Sequence, residues 1–354
     1  MKTIKVRFAG FWGGFEPEKL GFFQILQKQY HVVITDDADY LLCSIFDQHP
    51  YVMYPQIRIM FSGENYIPDF NLVDYAVSVY PVEFMDRHFS FPGLVDRLDH
   101  FYELQNKNRD YPDAILEQKP LFANMIASHN SDNGVRGELF TLLSKYKRIE
   151  SPGRFMYNMP NGEAVNREDG SKRELQNKCK FTLCCESTCE GGFITEKLFE
   201  AFCADTIPVY YGSINVTDIF NKDAFINVAD YNSLQDVVNQ IVALDHDDEA
   251  YLQMLRQPVF AQPMYIEKKL EEFERFLCHI FDQPIEQARR RPQSYMPKSY
   301  ERIVEYGREK KMKILREEQK KRKREDNYLL FKSRIHELLC IVLGKHKRKN
   351  ETHK

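Results

Sequence analysis

The stretch Phe181-Thr-Leu-Cys-Cys-Glu186-Ser-Thr-Cys-Glu190-Gly-Gly-Phe-Ile-Thr195-Glu196-Lys197-Leu-Phe199, with Thr206-Ile-Pro-Val-Tyr-Tyr-Gly-Ser213 soon after it, decides the fold. An apolar run (181–185) enters a polar loop, then a helical pattern (195–203) whose N-cap is read as Thr195, then a second apolar run (206–211). Strand, helix and strand in that order imply a parallel sheet covered by helices. The free N–H groups at a helix start attract phosphate. Lys197, in the first turn, can place an ammonium on the same anion, and Glu196 beside it brings a carboxylate to the bound group. Taken alone, Thr-Glu-Lys also describes the charged first turn of an ordinary surface helix.

The same alternation extends in both directions. Toward the N-terminus, residues 2–8, 31–34, 40–44, 57–62 and 75–79 read as short strands, and 17–30 has helical spacing. A second unit of the same style begins near Leu121, with 122–128 as strand and 135–146 as helix. Further on, 225–228 reads as strand and 234–244 as an amphipathic helix. The sequence therefore predicts two α/β domains, 1–120 and 121–283, whose ligands sit in the loops at the carboxyl ends of the strands. Residues 284–354 are read as a basic linker and helical tail. A chain of 354 residues also exceeds what one hydrophobic core usually serves.

The net charge of −3 hides an asymmetry, because residues 299–354 carry 18 Lys/Arg against 9 Asp/Glu. A mildly acidic body with a basic tail does not describe a nucleic-acid-binding protein, and no nucleic-acid partner is expected. Residues 301–325 read as a solvated helix. Residues 327–343 place Phe331, Ile335, Leu338, Leu339 and Val342 on one helical face between basic flanks, which suits the surface of an anionic membrane. Packing on the protein or on a second copy is the alternative. No run of about 20 apolar residues is present, and residues 1–11 read as a first strand rather than a secretory signal. The expected location is cytoplasmic, peripheral to the inner face of the cytoplasmic membrane.

The eight cysteines are spread thinly and favour a reducing compartment. The Cys179, Cys184, Cys185, Cys189 cluster lacks zinc-site spacing, and Cys184 and Cys185 would point to opposite faces of a strand, so packed thiols are expected there. Asp37-Ala38-Asp39 has the spacing of a divalent-cation motif but is read as a strand end. No metal site is expected.

The stretch first quoted resembles the signature of the α-1,3/4-fucosyltransferases of glycosyltransferase family 10, at Phe181, Leu183, Glu186, Ile194, Thr195, Glu196, Lys197, Ile207, Pro208, Val209 and Gly212. Cys185, Ser187 and Phe193 depart from the family's Phe, Asn and Tyr. Two more segments carry the resemblance. Phe61-Ser-Gly-Glu64-Asn65, followed by 68–76, looks like the bacterial members' segment with the catalytic base. Met125-Ile-Ala-Ser128-His-Asn with Val135-Arg136 looks like the segment whose arginine meets the donor diphosphate. The likeness spans roughly residues 1–280 and is nearest to the soluble bacterial members, which also carry a basic amphipathic tail.

The resemblance implies the GT-B plan, two Rossmann-like domains facing across a cleft, and an inverting enzyme that moves L-fucose from GDP-fucose to O3 of GlcNAc in an acceptor ending in Galβ1-4GlcNAc, making Lewis x-type structures. Glu64 is then the candidate base, and Glu196 the carboxylate beside the sugar. Arg136, Lys197, Glu186, Ser187, Phe193 and Ser128 are expected at the donor. Trp12 and Phe15, in the aromatic 11–15 loop, are expected at the acceptor. No cofactor is expected, with room left for stimulation by Mn2+. The rival readings are a different nucleotide-sugar donor, α-1,4 linkage on type 1 chains, and a non-catalytic scaffold acting through its tail.

Overall fold

The computed structural model describes residues 1–46, 51–93, 98–162, 164–166, 169–311, 313–318 and 320. The first half runs β1 (Thr3–Ala9), α1 (Gly21–Gln29), β2 (His31–Ile34), β3 (Tyr40–Cys43), β4 (Ile57–Ser62), β5 (Tyr75–Ser78), β6 (His88–Ser90) and α2 (Leu98–Asn106). The second half runs β7 (Leu121–Asn124), α3 (Val135–Leu143), β8 (Ile149–Glu150), α4 (Ser171–Asn177), β9 (Cys179–Cys185), α5 (Glu196–Cys203), β10 (Ile207–Tyr211), α6 (Val216–Ile219) and β11 (Ile226–Asn227). Helices α7 (Leu234–Asp245), α8 (Asp248–Leu255) and α9 (Tyr265–Phe281) follow.

Two parallel sheets result, ordered β2-β1-β3-β4-β5-β6 and β11-β10-β9-β7-β8. Their central strands are apolar because both faces are covered: every residue of β4 is buried, Arg58 included. Arg58 reconciles charge with burial by donating through Nη1 to the carbonyl of Leu72 at 2.8 Å. Strand β9 shows how one strand serves two cores. Cys184 belongs to the core that also holds the first sheet, whereas Phe181, Leu183 and Cys185 belong to the core of the second. The two adjacent thiols are packed on opposite faces, as the alternation of a strand requires.

Both sheets lie in one compact unit, Met1–Asp47 with Gln56–Arg291. Helix α9 comes after the second sheet in sequence yet packs on the first. The Phe281 ring lies 4.6 Å from Tyr40 and 5.5 Å from Tyr30, and Phe273 lies 5.4 Å from Phe89. The segment beyond it is pinned by two carboxylates. Asp74, fully buried, accepts the backbone N–H of Arg290 at 2.9 Å and of Arg291 at 2.7 Å. Asp86 pairs with the Arg290 guanidinium at 2.6 Å and meets His279 Nε2 at 2.8 Å.

The Arg290 hydrogen bonds hold the Asp86 carboxyl down at about 2, against an opposing push from partial burial. A carboxyl depressed in the folded state stabilises above its unfolded pKa, and that stability is lost as pH falls through the folded one. The expected window runs from about pH 4 down to about pH 2. Urea midpoints should therefore fall more steeply across it for the native chain than for Asp86→Asn; parallel curves would show that the clamp is energetically silent.

The described part of the remaining unit comprises the turn Tyr51–Met53 and a helical run over 295–311, with the Arg308 guanidinium 5.2 Å from the Tyr51 ring. Residues 313–318 continue it as an exposed helix, in keeping with the solvated helix expected over 301–325. The amphipathic segment expected over 327–343 lies outside the described residues. Among those described, no helix is long and apolar enough to cross a membrane.

Candidate active site

At the carboxyl edge of the second sheet, β9 ends and a loop leads to α5. Glu186, the first residue after β9, is fully buried. Its carboxylate accepts the Thr195 N–H at 2.8 Å, the Thr195 hydroxyl at 2.7 Å and the Lys197 ammonium at 2.9 Å. Three such bonds, one from a cation, are what make a buried carboxylate tolerable. Thr195 occupies the N-cap position, as the sequence predicts, but its side chain accepts no hydrogen bond from the first turn of α5. The hydroxyl is engaged instead by Glu186 and by Lys197 Nζ at 2.8 Å. Burial pushes the Lys197 ammonium toward deprotonation, and the carboxylates of Glu186 and Glu196 outweigh it, so its pKa lies above the ordinary lysine value. Lys197 stays cationic.

Lys197 and Glu196 line a cavity of about 490 Å³ together with Ser128, His129, Arg136, Gly153, Arg154, Lys172 and Ser187. Arg136, in the first turn of α3, is only 2% exposed, which excludes a surface ion pair. Two of its N–H donors go to the carbonyls of His129 and Cys185. That ties the loop after β7 to the end of β9, and a second tie runs from Asp132 N–H to the Ser187 carbonyl at 2.8 Å. Burial lowers the Arg136 pKa from a very high starting value, so it too remains charged. Opposite, residues 151–155 press against the same loop. A Cβ at Gly153 would sit 2.3 Å from the Ala127 carbonyl oxygen, so only glycine fits that wall.

Among the described residues, four cationic side chains, Arg136, Arg154, Lys172 and Lys197, thus surround a cavity whose lining holds one carboxylate, Glu196. Lys172 is itself paired with Glu200. A cavity so charged at the start of a helix suits a doubly negative group such as a diphosphate.

Of the residues expected at the donor, Ser128, Arg136, Ser187 and Lys197 meet at this cavity, as does Glu196. Glu186 does not line it and acts from behind, by positioning Thr195 and Lys197. Phe193 does not line it either. It is 4% exposed and packs with Val79 and Tyr80 from the first sheet's side. The same loop approaches there so closely that a Cβ on Gly192 (φ +83°) would lie 2.3 Å from the Val79 carbonyl oxygen.

Glu64 follows β4, on the first sheet's carboxyl edge; it is exposed and is not part of the cavity wall. Its neighbour Asn65 hydrogen-bonds Glu190, which also accepts the Tyr80 hydroxyl at 2.6 Å. The Glu64 loop is therefore joined to the β9–α5 loop. In the loop after β1, Phe15 stacks on Phe11 at 4.0 Å and packs on Phe8 at 5.3 Å, so it supports rather than presents a surface. Trp12 is 37% exposed, held edge-on by Phe15 at 5.7 Å and by Phe46 at 5.9 Å. Asp37, of the Asp-x-Asp pair, forms an ion pair with Lys5 at 3.1 Å.

Sequence reasoning missed Arg154, Lys172, Glu190 and Phe46. Arg154 and Glu190 lie in loops and Lys172 in the first turn of α4, and none carries a local pattern that points to the site. Phe46 could have been found: it is an aromatic three residues beyond the apolar strand β3, on the edge where ligands are expected.

Comparison with known proteins bears on this geometry. The family model described as glycosyltransferase family 10 (fucosyltransferase) C-term matches residues 116–306, and the alpha-(1,3)-fucosyltransferase FucT N-terminal domain matches residues 6–95. The chain is 27% identical over 294 residues to the alpha-(1,3)-fucosyltransferase FucT of Helicobacter pylori, covering 71% of this chain and 59% of that protein. It is 31% identical over 129 residues to human 4-galactosyl-N-acetylglucosaminide 3-alpha-L-fucosyltransferase 9, covering 36% of this chain and 34% of that protein. The chain thus spans well under two thirds of these relatives' length. Among solved structures it resembles an alpha1,3-fucosyltransferase crystallised with GDP-fucose, with a TM-score of 0.63, 26% identity, and coverage of 78% of this chain and 91% of that one. The two-sheet architecture is the GT-B fold of that enzyme.

Proposed function

Because the chain belongs to glycosyltransferase family 10, the fucosyltransferases, we propose that it transfers L-fucose with inversion from GDP-L-fucose to O3 of GlcNAc in N-acetyllactosamine-type acceptors, making Lewis x-type products. The observation that carries this reading is the cation-lined cavity at the start of α5, with buried Arg136 and paired Lys197 in its wall.

In this reaction the acceptor oxygen attacks the anomeric carbon while the bond from that carbon to the diphosphate breaks. Glu64 takes the hydroxyl proton as the new C–O bond forms. Arg136 and Lys197 neutralise the charge that grows on the departing GDP. Glu196, 3.6 Å from the Lys197 ammonium, stabilises the positive character of the sugar. Ser128 and Ser187 offer hydroxyls to the donor. The fixed cations do the electrostatic work that a divalent ion does in other transferases, so no resident metal is assigned.

A screen of sugar nucleotides tests the donor. Turnover with GDP-fucose is expected, and turnover with another GDP- or UDP-sugar in its place would overturn the assignment.

For the acceptor we assign Trp12 and Phe46, whose exposed rings follow β1 and β3; β3 adjoins β4, which leads to Glu64, and β1 adjoins β3. Aromatic faces stack on the apolar faces of pyranose rings. Trp12→Ala is expected to raise the acceptor KM about tenfold with little change in kcat, the signature of lost uniform binding. An unchanged KM would remove Trp12 from the acceptor site.

A further inference from the structure

Two segments join the two sheets. Residues 107–120 lead from α2 to β7, and residues 256–264 lead from α8 back to α9. Between them lies a cavity of about 750 Å³ that shares no lining residue with the donor cavity. Lys107 and Arg109 from one crossing and Arg256 from the other are in its wall, with Phe260, Gln262 and Tyr265.

Arg109 is the unusual member. It is 8% exposed, its Nη2 donates to the Leu255 carbonyl at 2.5 Å, and its guanidinium lies 5.7 Å from the Tyr111 ring and 5.8 Å from Phe202. Its Nε and Nη1 have no hydrogen-bond partner, and it makes no ion pair among the described residues. Lys107 and Arg256 differ in this respect: Lys107 pairs with Asp205 at 2.7 Å and Arg256 with Asp113 at 2.6 Å. Among the described residues, the one carboxylate in the cavity lining, Asp110, is exposed. The carboxylate that acts on this buried guanidinium, Asp205, is already paired with Lys107, so an anion in this cavity would supply charge that the two cations otherwise share.

We propose that the cavity between the two crossings binds a small phosphorylated anion, its phosphate drawn by Arg109, Lys107 and Arg256 and any organic part resting on Phe260 and Tyr265. Arg109 acts through its charge rather than through an open fork, because Nη2 is engaged by Leu255 and Nε and Nη1 are buried. Binding there touches both crossings, so it stabilises the fold by mass action.

The test titrates inorganic pyrophosphate into the full chain by calorimetry, with Tm as a second readout, for the native protein, Lys197→Ala and Arg256→Gln. Arg256, half-buried, is chosen because Arg109→Gln risks unfolding the crossing. Lys197→Ala is expected to retain a pyrophosphate site, and adding Arg256→Gln to it should weaken that site about tenfold or more. Abolition of all binding by Lys197→Ala alone would place the only site in the donor cavity and overturn the proposal, as would indifference to Arg256→Gln. In the Lys197→Ala background, AMP binding more tightly than pyrophosphate identifies an ester, and equal binding identifies the phosphate group alone. Either supports the site, and binding of neither overturns it.

Discussion

Glu64→Gln should lower kcat by roughly 10²–10⁴-fold, the range that a positioned general base contributes, while GDP-fucose binding stays near native. The expectation follows from where the carboxylate sits. It is exposed on the loop after β4, outside the wall of the donor cavity, and its loop is tied through Asn65 to Glu190 on the loop that leads to α5. In the local turn the Glu64 carbonyl accepts Tyr66 N–H at 2.7 Å and its N–H donates to Ser62 Oγ at 3.3 Å. Exchanging the side chain for its isosteric amide leaves that turn intact, so stability should move by less than about 0.5 kcal/mol. Steady-state transfer kinetics beside a GDP titration separate the terms. A kcat within tenfold of native would take the proton-accepting role away from Glu64.

Glu186→Ala should cost about 3–5 kcal/mol of folding stability, because it takes from half-buried Lys197 its nearest carboxylate, leaving Glu196 at 3.6 Å, and strips Thr195 of two hydrogen bonds. Donor affinity should fall with it, since Lys197 loses the anchor that aims it. Urea unfolding measures the first effect and a GDP titration the second. The double substitution Glu186→Ala with Lys197→Met should cost less than the sum of the singles, since removing both charges removes the orphan. A loss below about 1 kcal/mol in the single variant would show that the triad is not coupled in this way.

Much of the scaffold was readable from apolar runs. Strands 31–34 and 57–62 fall where alternation and length place them, and 75–79 and 206–211 differ from β5 and β10 by one residue at an end. The runs at 57–62, 75–79 and 206–211 are readable because a parallel strand buried on both faces must be apolar along its length, and the exposed edge strand β2 is readable from its β-branched Val32, Val33 and Ile34. The other edge strand of that sheet is not: β6 (His88–Ser90) is half-buried throughout and its composition carries no strand signal. Helix α9 has clear helical spacing in Ile266, Phe273, Leu277 and Ile280, but nothing local says that its apolar face belongs to the first sheet. Such a return is a property of topology.

The site divides on similar lines. Residues at the start of a helix after a strand, Lys197 and Arg136, are brought to one cavity because helix starts cluster on the carboxyl edge. Residues read by motif alone are less well placed by sequence. Phe193 turns out to pack between the loop and Val79, and Thr195 serves Glu186 rather than the helix end, because a buried carboxylate competes for its hydroxyl more strongly than a backbone N–H does. Arg154 enters from the segment after β8 and Lys172 from the first turn of α4, and no local pattern points either at the cavity.

The most direct test is a transfer reaction with GDP-fucose and N-acetyllactosamine in the presence of EDTA, with product mass measured and linkage read by NMR. The account predicts one deoxyhexose added at O3 of GlcNAc, at a rate that EDTA does not change. No transfer to any lactosamine or type 1 acceptor, together with no GDP-fucose binding, would contradict it.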